Sequence, residues 1–295
     1  MGHLFARITF LSFGAIFMAP ASAAVIYNNM TPNTLMAIAS RPGSPGVFEI
    51  EAADDFVLSS PITTINSASF VGLLVPGTGG APTVSEVVVE IYRVFPKDSN
   101  TVRTPNVPTR TNSPSDVALA DRDSAVPGEM AFTTAVLSQT FTALNSVQPG
   151  GIHPSPNQTT GGNGPLTGQE VQFNVTFTLP FDLAADHYFF IPQVLVSNGG
   201  QFYWLSASRP ISGAGTTPFA PDLQAWTRDE FLDPDWLRVG TDIVGGPTPP
   251  TFNAAFSLNG NAAVPEPSSI VLLVTALTII GVRRRRAVLA DVTPN

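Results

Sequence analysis

Hydrophobic and polar residues alternate along much of this chain. Val171, Phe173, Val175, Phe177 and Leu179 interleave with Gln172, Asn174, Thr176 and Thr178. A period of two sends one set to a buried face and the other to water, as in an antiparallel strand with one wet side. Val84–Phe95 follows suit, with Val87, Val89 and Ile91 on one face and Glu86 and Glu90 on the other. Its β-branched and aromatic residues suit a pleated surface. Further strands are predicted over 25–27, 47–58, 62–75, 133–141, 188–196, 202–206, 223–227 and 253–258, punctuated by Pro/Gly clusters at 76–80, 161–165 and 245–247. Outside the two ends no window sustains a helical period; Ser115–Asp123 suffices for a turn or two. About ten short strands with few helices predict a mainly β protein, a single antiparallel β-sandwich of jelly-roll type.

The two ends depart from this pattern. At the N-terminus Arg7 precedes an apolar run from Ile8 to Met18, and Ala21-Ser22-Ala23 follows. A basic start, a short apolar stretch and a small-residue site define a secretory signal peptide, with cleavage after Ala23. The Sec machinery and signal peptidase are the partners this implies, and the apolar run is short for a membrane span of ~20 residues. At the other end Val264-Pro265-Glu266-Pro267-Ser268 opens a tail, Ile270–Val282 is apolar apart from Thr275, Thr278 and Gly281, and Arg283-Arg284-Arg285-Arg286 closes it. Pro265 and Pro267 fix φ and lack amide hydrogens, which keeps the motif extended. The apolar stretch predicts a transmembrane helix of about 20 Å, extended to the interfaces by neighbouring polar residues and snorkelling arginines. The arginine run belongs on the cytoplasmic side. The chain therefore divides into a signal helix (1–23), an extracellular β domain (24–263), a sorting and membrane segment (264–286) and a cytoplasmic extension (287–295). Residues 150–168 read as a long surface loop within that one β domain, and Asn259–Ala263 as a short flexible stalk.

The tripartite tail resembles the PEP-CTERM sorting domain of bacteria that make extracellular polysaccharide. The Pro-Glu-Pro core, the apolar span and the basic cluster agree in order and position. The resemblance implies handling by exosortase, a membrane-embedded processing enzyme, with cleavage near Pro265–Pro267. It implies transient anchoring in the inner membrane, then release to the cell surface or the medium. Within the body, Ala53-Asp54-Asp55-Phe56 and the late segment Asn253-Ala254-Ala255-Phe256-Ser257-Leu258 resemble features common among PEP-CTERM proteins. Ile91–Pro96 and Val107–Asp116 resemble stretches of a group of uncharacterised exported β-sandwich proteins. That likeness carries an expectation of fold and none of activity.

Charge sharpens the picture once both ends are set aside. Residues 24–263 hold 9 basic residues against 20 acidic ones, a net of −11, and Lys97 is the chain's only lysine. Such a body has no basic stripe for nucleic acid or anionic lipid. With no cysteine anywhere, disulfides, thiol catalysis and thiolate metal sites are excluded. Stability must come from a core, for which about 240 residues are ample.

The catalytic inventory is thin. His3 belongs to the signal, leaving His153 and His187, and His187 reads as a packed or edge histidine at a strand start. No H-E-x-x-H or G-x-S-x-G pattern occurs. Carboxylate pairs recur at Asp54-Asp55, Asp121/Asp123, Asp229-Glu230 and Asp233/Asp235; solvated loop acids and turn caps account for most such pairs. Asp116, Asp121 and Asp123, in a stretch rich in side-chain oxygens, are a candidate Ca²⁺ site; no other cofactor or metal is indicated. Lys97, Arg103, Arg110 and Arg122 sit in one long proline-containing loop, as a binding loop or, preferably, as cations tying that loop down on carboxylates. Trp204, Trp226 and Trp236 are candidates for sugar stacking where an indole face is open, and for core packing where it is not.

Three functions fit. The first is a non-catalytic, exosortase-processed surface or matrix protein associated with extracellular polysaccharide. The second is a self-assembling structural protein of the envelope. The third is an extracellular hydrolase, which needs two carboxylates facing each other at ~5 to 9.5 Å across a cleft.

Overall fold

The computed structural model describes residues 24–103, 110–148, 152, 158–208 and 222–262. The predicted signal peptide with Ala21 and Ala23, the sorting motif Val264–Ser268, the apolar span, Arg283–Arg286 and the final extension lie outside them. Among the described residues no helix is long and apolar enough to cross a membrane.

Twelve strands follow in order: β1 (Ala24–Asn28), β2 (Pro32–Ala39), β3 (Ile50–Val75), β4 (Val84–Arg93), β5 (Ala120–Asp123), β6 (Met130–Ala143), β7 (Ser146–Val147), β8 (Leu166–Val196), β9 (Gln201–Ala207), β10 (Trp226–Asp229), β11 (Leu237–Arg238) and β12 (Phe256–Ala262). A single π-type turn, Val239–Val244, follows β11. The protein is mainly β, and its strands join in one large mixed sheet. β2 and β7 run parallel; every other pairing is antiparallel.

Two long strands organise this sheet. β3 has 26 residues and β8 has 31, and they pair from Asp54↔Phe190 to Leu74↔Gln169. Sequence pattern predicts each of them as two strands, broken near Pro61 and Pro180. The backbone instead runs on through both prolines. The β3–β8 register slips between Leu58 and Ile62 and again between Ile65 and Ser67. Those bulges take up Pro61 and Pro180, whose missing amides would otherwise leave gaps in the ladder. Along its other edge β8 pairs with β6 over its first half and with β4 over its second. β3 likewise meets β10, β12 and β9 in turn. Strands on either side of 150–168 thus pair directly, β6 with β8.

Other differences are local. Residues 115–123, expected to form a turn or two of helix, contain β5 instead, held on β4 by Val88↔Asp123 to Ile91↔Ala120. β2 was not foreseen, because its Leu35–Ala39 run is continuously apolar rather than alternating. It lies between β9 and β7 and its last four residues are buried, the pattern of a strand covered on both faces.

Both faces of the central strands are in fact covered. Ala52, Phe56, Val87, Val89, Ile91, Phe190 and Val194 point into the main core, where Phe70 stacks on Phe173 with ring centroids 4.9 Å apart and Phe190 stacks on Phe256 at 5.0 Å. The intervening residues Ala53, Tyr92, Val94, Phe189 and Ile191 point the other way, into a smaller cluster with Leu223, Trp226 and Trp236. Gly72, on β3 between β8 and β9, is required by close approach: a Cβ there would run into the Phe202 ring and the Tyr203 carbonyl.

Candidate functional site

The second face carries the densest chemistry. Residues 97–103, 110–118 and 222–238 fold over it, and charged side chains from β3, β4 and β10 are trapped beneath. Glu51 on β3 and Arg228 on β10 are direct cross-strand neighbours, both buried. Arg228 Nε and Nη2 donate to the two Glu51 oxygens in a fork, the second at 3.1 Å, the geometry that makes arginine–carboxylate pairs strong. Arg228 Nη2 also donates to the Tyr92 hydroxyl at 2.8 Å, and that hydroxyl donates to Glu51 Oε1 at 2.9 Å. Nη1 donates to the Asp116 carbonyl at 3.1 Å and pairs with Asp233 at 2.7 Å. The guanidinium lies 4.4 Å from the centre of the Trp236 ring. Burial works against the Arg228 charge, yet Glu51 holds its pKa above the ordinary value. Glu90, on the same face of β4, is pushed up to about 9, first by burial and then by Glu51 and Glu49. It is therefore neutral at pH 7 where it lies beside Glu51.

A second buried group surrounds Asp54-Asp55. Adjacent residues on a strand face opposite ways, and these two split between the cores. Asp55 Oδ2 lies 2.6 Å from His187 Nε2, and its Oδ1 accepts the Leu223 amide at 2.7 Å. Asp54 Oδ2 accepts the Ala254 amide at 2.8 Å. Complete burial next to Asp55 drives the Asp54 carboxyl well above the usual carboxylate range. Burial raises Asp55 as well, against the pull of His187. The two body segments that resemble PEP-CTERM features, Ala53–Phe56 and Asn253–Leu258, are thus joined by a hydrogen bond: Asp54 fastens the residues just before β12 to β3.

The long loop is held down as the charge pattern suggested. Lys97 Nζ binds both oxygens of Asp186 at 2.7 and 2.5 Å, Arg103 forks onto buried Asp235, and Arg110 pairs with Asp116 while lying 4.5 Å over the Phe95 ring. Arg122 donates to the Leu179 and Pro180 carbonyls at 2.5 and 2.8 Å.

Two expectations need correcting. Trp204, Trp226 and Trp236 are all buried. Trp204 Nε1 donates to the Ala255 carbonyl at 2.9 Å and Trp236 Nε1 to the Ser115 carbonyl at 3.0 Å. No indole face is open for sugar stacking; residues 222–238 fold inward over the sheet, and alternation alone could not reveal that cover. The calcium candidates also separate. Asp116 is spent on Arg110 and on the Asn100 amide at 2.9 Å, while Asp121 and Asp123 ride on β5. Among the described residues no three His, Asp or Glu side chains converge on a metal position. The remaining acid pairs have structural tasks: Asp229 caps its own turn through the Phe231 and Leu232 amides at 3.1 and 3.0 Å, and Asp233 and Asp235 serve Arg228 and Arg103. His153 lies outside the described residues.

The hub at Arg228 was missed from sequence. Its signal was there in weak form: Glu49 and Glu51 flank Ile50 at the start of a strand, and Glu90 precedes Tyr92 by the same spacing, so acids recur at alternate positions on one face. No protein-family model, curated protein or solved structure matches this chain.

Proposed function

We propose that this is an exported, exosortase-processed surface or matrix protein that acts by binding extracellular polysaccharide and not by catalysis. The observation that carries this reading is the tail Val264–Arg286, with its Pro-Glu-Pro motif, apolar span and four arginines in order. The body supports it, since its buried carboxylates are engaged in ion pairs, amide caps and strand fastening. The proposal includes a jelly-roll-like sandwich: β3 and β8 each change partners midway, as strands passing from one layer to the next do. Intact mass of the protein from membrane and medium tests the route. Shortening at the motif is expected in the secreted pool, and a secreted mass ending at Asn295 would refute processing. Retention of the full chain on matrix polysaccharide tests the binding.

One observation favours self-assembly as a second reading. β6 carries no charged residue over Met130–Ala143, Val136 and Leu137 are both about half exposed at 49% and 50%, and no described strand covers its outer edge. Uncharged open edges template pairing. Light scattering of the purified protein would show a concentration-dependent rise in mass; a monomer throughout would remove this reading.

A further inference from the structure

Among the described cations, Arg41 stands apart. Arg93, Lys97, Arg103, Arg110, Arg228 and Arg238 each pair with a carboxylate, and Arg122 donates to backbone carbonyls. Arg41 Nε donates to the Phe48 carbonyl at 3.1 Å, and its guanidinium sits 4.9 Å over the Phe48 ring. Among the described residues its two terminal nitrogens have no acceptor and no carboxylate pairs with it. Burial lowers its pKa, with only the Tyr203 hydroxyl acting against that. In a body with a surplus of eleven acids, one half-buried guanidinium thus has no anion among the described residues.

The surroundings are firm and suited to a ligand. Arg41 and Phe48 lie on a tight hairpin closed by Arg41–Ile50 backbone hydrogen bonds of 2.8 and 3.0 Å and by Ser44–Val47 bonds of 2.9 and 2.8 Å. Arg41 lines a groove of about 440 Å³ together with Phe48, Ser44, Ser85 and Gln201. Beyond Phe48 stands Phe231, ring centroids 5.3 Å apart and 71% exposed. Its turn is held by the Asp229 cap and by buried Leu232. A cation, an aromatic ring and hydroxyl or amide groups in the groove, with Phe231 against the Phe48 ring just outside it, match the pieces of an acidic sugar: carboxylate, apolar ring face and hydroxyls.

We propose that this groove is the polysaccharide-binding site, and that it takes a uronate-bearing glycan. The Arg41 fork receives the sugar carboxylate, and Phe48 and Phe231 bear the ring face. Lysine would not replace Arg41, because the planar fork matches two oxygens at once and a point charge does not. The proposal rests on the glycan-associated reading above and specifies where and what it binds.

Affinity electrophoresis of the full chain in detergent, through gels containing polygalacturonate or neutral dextran, tests it. The expected result is retardation by polygalacturonate alone, weakened about tenfold in Arg41→Gln, partly kept in Arg41→Lys, and weakened several-fold in Phe231→Ala. Phe231 is exposed enough for its variant to report binding without a folding defect, should Arg41→Gln fold poorly. Retardation unchanged in both Arg41→Gln and Phe231→Ala overturns this site while glycan association stands. Equal retardation by dextran overturns the uronate assignment. No retardation of the unsubstituted protein by either polymer overturns the site together with the reading on which it rests.

Discussion

Against one face of β3, β4 and β8, Phe70, Phe173, Phe190, Phe202 and Phe256 pack ring on ring in an apolar core that holds no ion pair among the described residues. On the opposite face of the same strands, Glu51, Arg228, Tyr92, Glu90 and Trp236 close a network of ions and hydrogen bonds under folded-over loops. Both faces are buried, and they fail differently. Truncating a phenylalanine on the first removes contacts and leaves a cavity. Truncating one member of the second strands a partner's charge in a place water does not reach.

That difference gives the largest expected effect. Arg228→Ala leaves Glu51 buried next to Glu49 and Glu90 with no cation, which should cost about 3–5 kcal/mol, as breaking buried pairs does. Replacing both partners, as Arg228→Met with Glu51→Leu, should recover much of the loss, because the desolvation of both charges disappears along with their attraction. Urea midpoints measured on the three proteins check this. A single-variant cost under about 1 kcal/mol would mean that water reaches the network and that the two faces are less different than drawn.

The apolar face is tested next, where it is tightest. Gly72→Ala drives a methyl into the Phe202 ring and the Tyr203 carbonyl. Overpacking of this kind should cost about 1–3 kcal/mol. The carbonyl belongs to β9, so relief requires β9 to shift away from β3. Unchanged stability by thermal unfolding would show that this edge of the sheet adapts easily.

The first face was readable in advance and the second was not, for a physical reason. Val87, Val89, Ile91 and the odd residues from Val171 to Phe177 alternate with polar neighbours, and burial of one face is all that this pattern encodes. The same logic puts Glu86 and Glu90 on the opposite face, where they lie. That the face beyond is roofed over depends on residues 222–238, more than a hundred positions away, and on Arg228 meeting Glu51. Trp226 and Trp236 look like exposed aromatics beside acids in one dimension. In three dimensions the acids Asp233 and Asp235 are turned toward Arg228 and Arg103, and the indoles fill the space left. The continuity of β3 and β8 was hidden by Pro61 and Pro180, which mark breaks in most strands and bulges in these. The loop cations were legible because opposite charges must find each other in a chain so short of bases. Arg41 shows the limit of that rule, since nothing in its local sequence says that it lacks a carboxylate.

A smaller effect, with a distinctive pH dependence, should come from Glu90. Its carboxyl titrates at about 9 in the fold against an ordinary 4.5. The folded chain therefore holds this proton more tightly than the unfolded chain. The stabilisation it contributes is complete below about pH 4.5 and is lost progressively as pH rises towards 9. Glu90→Gln keeps a neutral donor beside Glu51 and removes that loss. The variant should be the more stable protein at pH 8, with a higher Tm there and the gap closing towards pH 4.5. Asp54, also raised, stays in both proteins and cancels in the difference. A gap that widened on acidification would mean that Glu90 is ionised in the fold.

The smallest effect should lie at the edge of the roof, where the second face meets solvent. Lys97 binds Asp186 at 2.5 Å, but its side chain is 40% exposed. Arg103 makes the equivalent clamp on Asp235, whose side chain is wholly buried. Exposed pairs are worth about 0–1 kcal/mol because water solvates either ion nearly as well once they part. Lys97→Ala should therefore shift the urea midpoint by an amount equivalent to less than about 1 kcal/mol, and that shift should shrink further in 1 M salt, where the screening length falls to about 3 Å. A larger, salt-insensitive cost would place Lys97 within the buried network, and the boundary between solvated and buried charge would then lie beyond Lys97.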